Sequence, residues 1–255
     1  MRRARLAFQG RDVWGAVAED AQTITLTDGT IVPIEQAQLL APITQGAAVY
    51  ALGLNYADHS RELGFAAKQA TPLVFLKGGN CFVGHDGITP RPADANQMHP
   101  ECELVAVIGR VARKVSVADA LAYIGGYTIA NDYAIREYLE NYLRPNARVK
   151  NRDATTPLGP WIVDAASVAD PQSLTLVTRV NGVEVQRGST ADMILDVAGL
   201  VAYLSSFVTL YPGDMILTGT PHGVHFCAAG DEVVCEINGI GSLRNHLVAP
   251  SSRTN

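Results

Sequence analysis

In the segment MHPECELVAVIG, residues 98–109, Glu101 and Glu103 stand at the head of an apolar run, Leu104 to Ile108. On an extended strand, alternate positions share a face, so both carboxylates point one way and Cys102 the other. Two like charges side by side are costly unless something positive lies between them. Asp132 ends a second apolar stretch, YTIAND. If the segment between the stretches merely links two neighbouring strands, their ends bring Asp132 beside the glutamates. Three carboxylates with no sulfur or imidazole suit a hard divalent cation, Mg²⁺ or Mn²⁺, with Ca²⁺ as a substitute. Three protein ligands also leave coordination positions for water and for substrate oxygens. An isolated E-x-E pair reads better as two solvated acids at a strand end; Asp132 shifts the balance.

His59 and Glu62, in NYADHSRELG, lie one helical turn apart. Two readings stand open for them. They form a surface ion pair on a polar turn, or a general acid–base unit in which the carboxylate orients the imidazole and stabilises its charged form. His99, just before Glu101, reads as a loop residue supporting the site and not as a ligand, and the spacing of His222 and His225 on TPHGVHF reads as incidental. Taken alone, Arg136 in NDYAIRE and Lys150 in RVKNRD are solvated side chains.

These residues need a scaffold, and the composition allows one. The chain has 255 residues, 47% of them hydrophobic and 18% charged, enough for a sizeable core in a compact fold. A net charge of −5 with no basic block gives no electrostatic case for nucleic acid or an anionic membrane. No apolar run approaches a bilayer span, and the apolar part of MRRARLAFQGRD is too short for a signal peptide. Cys81, Cys102, Cys227 and Cys235 show no CxxC spacing and read as reduced core residues of a cytoplasmic protein.

Residues 1–45 alternate short β-like pieces with turns and form a small N-terminal module; residues 46–255 are expected to form the main domain. AVYALGL, PLVFLK and ECELVAVIG read as strands. Ser116 is placed to cap a helix over 117–124 ended by Gly125-Gly126, and AIREYLENYL reads as a helix stopped by Pro145. Asn181-Gly182 marks a hairpin between LTLVTRV and VEVQR. The longest helical pattern is STADMILDVAGLVAYLSSF, with Ser189 and Asp192 placed like a capping pair. Antiparallel β pieces with a few helices argue for α+β and against a doubly wound sheet. No G-x-G-x-x-G follows a strand and there is no Walker A motif, so nucleotide readings lack support.

Seven segments together resemble the fumarylacetoacetate hydrolase superfamily, in its order: LGLNYADHSRELG, PLVFLK, HPECELVAVIG, GGYTIANDYAIRE, VKNRDATTPLGPW, NGVEVQRGSTADMI and PGDMILTGTPHGV. The resemblance covers residues ~45–250. NDYAIREYLENYLRPNARVKNRD is similar to the decarboxylase/isomerases of homoprotocatechuate (4-hydroxyphenylacetate) degradation, in the C-terminal half of their fused two-repeat form. The resemblance implies a mixed β-roll with a small N-terminal β module. It places Glu101, Glu103 and Asp132 on the family's metal triad, His59 and Glu62 on its acid–base dyad, and Lys150 on its active-site lysine. Arg136 and Thr220 fall on residues that contact the substrate's carboxylate end. Arg152 departs from the aromatic often found there and is expected to bind an extra substrate carboxylate.

The implied substrate is a 2-oxo acid with several carboxylates, 5-carboxymethyl-2-oxo-hex-3-ene-1,7-dioate. A 2-oxo acid can chelate one divalent ion through its carboxylate and keto oxygen, and charge developing on that oxygen is then stabilised. Loss of CO₂ leaves a dienolate, and protonation at a remote carbon completes the isomerisation. The alternatives are hydrolysis of acylpyruvates or fumarylacetoacetate-like diketones, oxaloacetate decarboxylation as a weaker third, and a non-catalytic partner of a split two-repeat enzyme. The intact triad, dyad and lysine count against the last. A homodimer is expected, with a sister-repeat subunit as the other arrangement.

Overall fold

The computed structural model describes residues 1–65, 71–139 and 147–250. Its framework is a 12-stranded sheet, with a five-stranded sheet beside it. At the heart of the larger one runs the strand Cys102–Ile108, buried at every position. Its side chains divide by parity. Leu104, Ala106 and Ile108 pack into the core under the helix Val197–Phe207, while Val105 and Val107 join Ala51, Leu158 and Met215 on the other face. A strand covered on both faces has no polar alternation to keep, hence the continuous apolar run.

This strand pairs antiparallel with Ile124–Asn131, Cys102 opposite Asn131 and Glu103 opposite Ala130. The register puts Asp132 at the same end of the sheet as both glutamates, as expected if the connection simply returns the chain to a neighbouring strand. On the other side lies Met215–Leu217, which runs parallel to Val49–Gly53. The five-stranded sheet contains the hairpin Thr175–Val180 and Val183–Ser189, whose turn has Asn181 and Gly182 at positive φ (50° and 80°). That backbone matches the twist of the flanking strands. The fold is thus mixed β with few helices.

Residues 1–45 build a small cluster of their own from Ala4, Leu6, Ile24 and Val32. The strand Arg2–Phe8 nevertheless hydrogen-bonds to Thr156–Asp164, so the large sheet runs unbroken from the N-terminal strands into the rest of the chain.

Three helix boundaries differ from expectation. The Ser116-capped segment is a 3-10 helix, Val117–Tyr123, and Gly125 and Gly126 lie inside the next strand. Main chains crowd there: a Cβ on Gly126 would stand 2.6 Å from the Val163 carbonyl oxygen. Ser189 caps only the single turn Thr190–Asp192; the long helix starts at Val197 with Asp196 as its cap. AIREYLENYL begins as the short strand Ala134–Ile135 and a 3-10 turn, Arg136–Tyr138, and its remainder lies outside the described residues. Among the described residues, no helix is long and apolar enough to cross a membrane. All four cysteines are free and buried.

Candidate metal centre and its cavity

Glu101 sits one residue before the central strand and Glu103 within it, and both are buried. Two hydrogen bonds fix their relation to the neighbouring strand. The Glu101 amide donates to Asn131 Oδ1 (2.9 Å), and the Asp132 amide donates to the Glu101 carbonyl (2.9 Å). The structure therefore brings Glu101, Glu103 and Asp132 together, with carboxylate oxygens within 4.8 Å of one another.

The groups around them are chemically distinct. Lys150 Nζ donates to Glu101 Oε2 (2.6 Å) and to the Asp132 carbonyl (2.7 Å). Burial opposes the charge on Lys150, but Asp132, Glu101 and Glu103 outweigh it and raise the ammonium pKa above its ordinary value. Lys77 Nζ donates to Asp132 Oδ1 (2.6 Å) and to the Lys150 carbonyl oxygen. Arg136 donates through its terminal nitrogen to Glu101 (3.2 Å) and through Nε to His99 Nε2 (2.8 Å). His99 Nδ1 faces the Pro100 carbonyl (3.3 Å), a contact that needs the proton on Nδ1 and leaves Nε2 as an acceptor. Burial dominates that imidazole and pushes its pKa down to about 3. His99 is a neutral prop for Arg136, and His222 and His225 are exposed.

Glu103 is different. Among the described residues it makes no ion pair, and its Oε2 accepts only the Gly219 amide (2.7 Å). Gly219 adopts φ 88°, the left-handed region, which a side chain would strain. Burial first, then the negative charge of Asp132, drives the Glu103 carboxyl well above its usual range. Among the described residues Asp132 Oδ2 has no hydrogen-bond partner, although Lys150 Nζ stands 3.1 Å away. A buried carboxylate oxygen without a hydrogen-bond partner and a buried carboxyl without a direct ion pair, both among the described residues, fit one hard divalent cation held by these three residues.

Through Glu101, the cluster borders a cavity of about 290 Å³. Glu101, Lys150, Arg136, Thr220 and His59 supply its polar groups, and Leu63, Leu73, Phe75 and Leu139 its apolar side. His59 lies in the short helix Ala57–Glu62, and its Nδ1 is 3.0 Å from Glu62 Oε2. Glu62 in turn accepts the backbone amides of Gly223 (3.1 Å) and Val224 (2.9 Å). Burial works against its charge, but the Val224 amide, the His59 ring and the Gly223 amide hold the carboxyl below its ordinary value. Asn55 anchors the start of this segment, donating to the carbonyls of Leu195 (3.0 Å) and Thr218 (2.9 Å).

Arg152 is the expected site residue that the structure does not bring to the cavity. Its guanidinium lies over the Tyr138 ring, 5.3 Å from the centroid, beside Arg148 on the same ring at 4.4 Å. Lys77 and Gln186 were not singled out from sequence. Lys77 had a signal, a lysine closing the strand PLVFLK, whereas Gln186 in the hairpin had none.

Comparison with known proteins identifies the family and the fold. The family model described as fumarylacetoacetate (FAA) hydrolase C-terminal matches residues 48–248. The 4-hydroxyphenylacetate degradation bifunctional isomerase/decarboxylase of Salmonella dublin is 55% identical over 211 residues, 83% of this chain and 49% of the relative. The chain thus spans about half the length of that protein. The crystal structure of a 5-carboxymethyl-2-hydroxymuconate delta-isomerase from Mycobacterium smegmatis superposes with a TM-score of 0.87 at 37% identity, covering 99% of this chain and all of that one. A maleylpyruvate hydrolase from Sphingobium, crystallised with manganese(II) and pyruvate, superposes at 0.83 with 26% identity, covering 98% and 100%.

Proposed function

The chain belongs to the fumarylacetoacetate hydrolase family, and on that premise we propose that it decarboxylates 5-carboxymethyl-2-oxo-hex-3-ene-1,7-dioate and isomerises the resulting 2-hydroxyhepta-2,4-diene-1,7-dioate. The observation that carries this reading is the convergence of the His59–Glu62 pair and the Glu101–Lys150 pair on one cavity. The likeness to bifunctional isomerase/decarboxylases supports the substrate class.

Held by Glu101, Glu103 and Asp132, a divalent cation, Mg²⁺ or Mn²⁺, supplies Lewis-acid chemistry at a keto oxygen. The side chains do the rest. With Nδ1 held by the Glu62 carboxylate, His59 presents Nε2 to the cavity as the atom that takes or returns a proton, and Glu62 stabilises the imidazolium that forms. Arg136 and Thr220 face the carboxylate end of the substrate, and Lys150 keeps Glu101 charged and fixed. The apolar side formed by Leu63, Leu73 and Phe75 excludes water from the reacting carbons.

A second reading is C–C hydrolysis of an acylpyruvate, favoured by the structural likeness to maleylpyruvate hydrolase. There the same His59–Glu62 pair activates water. An ultraviolet assay with Mg²⁺, run on wild type and Glu103→Ala with both substrate types and separate detection of CO₂, divides the readings. CO₂ release from the oxo-enoate that vanishes in the variant supports the decarboxylase/isomerase. Cleavage of the acylpyruvate alone moves the assignment to hydrolase. No turnover of either overturns both.

A further inference from the structure

Thr220 touches the cavity from a loop whose rear is built on the five-stranded sheet, and one side chain there links the two. Gln186, 5% exposed, lies in the strand Val183–Ser189 opposite Thr178. Its amide makes three hydrogen bonds. Oε1 accepts the Thr178 hydroxyl (2.7 Å), and Nε2 donates to the Pro221 carbonyl (2.8 Å) and to Thr220 Oγ1 (3.0 Å). The orientation of the amide follows from chemistry. A proline carbonyl can only accept, so the nitrogen must face Pro221, and the same nitrogen then reaches Thr220.

That leaves one place for the Thr220 hydrogen. Its oxygen already accepts from Gln186, so its hydroxyl is free to donate to whatever occupies the cavity. We infer that Gln186 is a positioning residue that sets Thr220 as a hydrogen-bond donor, so that this end of the cavity selects an acceptor group, a carboxylate or keto oxygen, on the ligand. The inference rests on the reading of the cavity as a 2-oxo-acid site and adds the residue that fixes its polarity. Gln186 also underlies the loop beyond Thr220. A Cβ on Gly223, which has φ 122°, would come within 3.0 Å of the Gln186 side chain, and the Gly223 amide is one that holds Glu62. One side chain thereby supports both the carboxylate-binding end and the acid–base pair.

The isosteric Gln186→Glu reverses the bond: its carboxylate oxygen accepts the Thr220 hydrogen and turns it away from the cavity. Pyruvate binding to the Mg²⁺-loaded protein, measured by calorimetry, and KM and kcat on the oxo-enoate are the two readouts. The variants are Gln186→Glu, Thr220→Val, Thr220→Ser and the double Gln186→Glu/Thr220→Val, with melting of the metal-free proteins as a folding control. Gln186→Glu and Thr220→Val are each expected to weaken pyruvate and raise KM about tenfold or more, with a smaller change in kcat. The double variant is expected to be no weaker than either, and Thr220→Ser to stay near wild type. A carboxylate oxygen at this position also faces the Pro221 carbonyl, so a merely structural Gln186 would show in Gln186→Glu as a loss of melting temperature and of kcat; the inference requires pyruvate affinity and KM to change more than either. Equal binding by wild type and Gln186→Glu, or multiplying effects in the double variant, overturns the inference alone. A wild type that neither binds pyruvate nor turns over an oxo acid overturns it together with the proposed function.

Discussion

Lys77 Nζ lies 2.6 Å from Asp132 Oδ1, and both side chains are closed off from solvent, at 0% and 1% exposure. The same ammonium donates to the Lys150 carbonyl oxygen, so Lys77 ties the third carboxylate of the cluster to the segment that carries its second lysine. Removing one partner of a buried pair costs up to roughly 3–5 kcal/mol, and here Lys150 Nζ, 3.1 Å from Asp132 Oδ2, keeps the loss toward the lower end. Lys77→Met is therefore expected to lower the melting temperature of the metal-free protein by about 10 °C. Thermal denaturation in chelator checks it, and a wild-type melting curve would remove Lys77 from the site's support.

Glu103 presents the opposite balance. Burial and like charge stand against it, and the charge of Lys150 and the Gly219 amide, which act in its favour, do not outweigh them. Glu103→Gln keeps the shape and removes the charge. The metal-free variant is expected to melt no lower than wild type. Mg²⁺ at a hundred times its dissociation constant adds about 2.7 kcal/mol to a protein that binds it only when folded, which is roughly 5–10 °C for a chain of this size. That rise is expected in wild type and absent in Glu103→Gln. A variant with an unchanged Mg²⁺ response would place the cation elsewhere.

The His59–Glu62 pair is expected to act on rate and not on substrate affinity. His59→Asn should lower kcat about 10²–10⁴-fold with KM little changed. Glu62 also carries a pH signature. Its folded-state carboxyl lies below its ordinary value, so its contribution to stability is present above the ordinary carboxylate range and is lost as pH falls through the lowered value. The melting-temperature gap between wild type and Glu62→Gln should stay constant above about pH 5 and close below about pH 4. A gap that widens in acid would reverse the assigned direction.

Much of this site was legible because strand geometry is short-ranged. E-x-E at the head of an apolar run fixed a common face, and a short connection to YTIAND fixed the neighbour, so Asp132 had one place to go. The His59–Glu62 spacing was equally local. What could not be read was tertiary. Lys77 reaches Asp132 from the far side of the sheet, Gln186 reaches Thr220 from a second sheet, and neither partner is near in sequence. Arg152 carries the right charge at a suitable position, but the ring of Tyr138 draws it away from the cavity. No feature of the residues around it announces that stacking.

The long helix shows the same limit in a form that can be tested. Ser189 and Asp192 have the spacing of a capping pair, yet the helix begins at Val197. The chain between is held elsewhere: the Ile194 amide donates to the Asn55 carbonyl (2.7 Å), and the Leu195 amide to Asn55 Oδ1 (3.0 Å). Those bonds keep residues 194 and 195 out of the helix, because an amide given to Asn55 cannot join the helical ladder. Asp196 then caps, accepting the Gly199 amide at 2.7 Å. Asp196→Ala is expected to cost about 1 kcal/mol, a fall of roughly 2–4 °C in melting temperature, and Ser189→Ala less than half of that. Equal losses from the two substitutions would mean that the first turn at Ser189 supports the helix as much as its true cap. The Asn55 bonds would then be a lesser part of what sets the helix start and, with it, the anchor of the His59 segment.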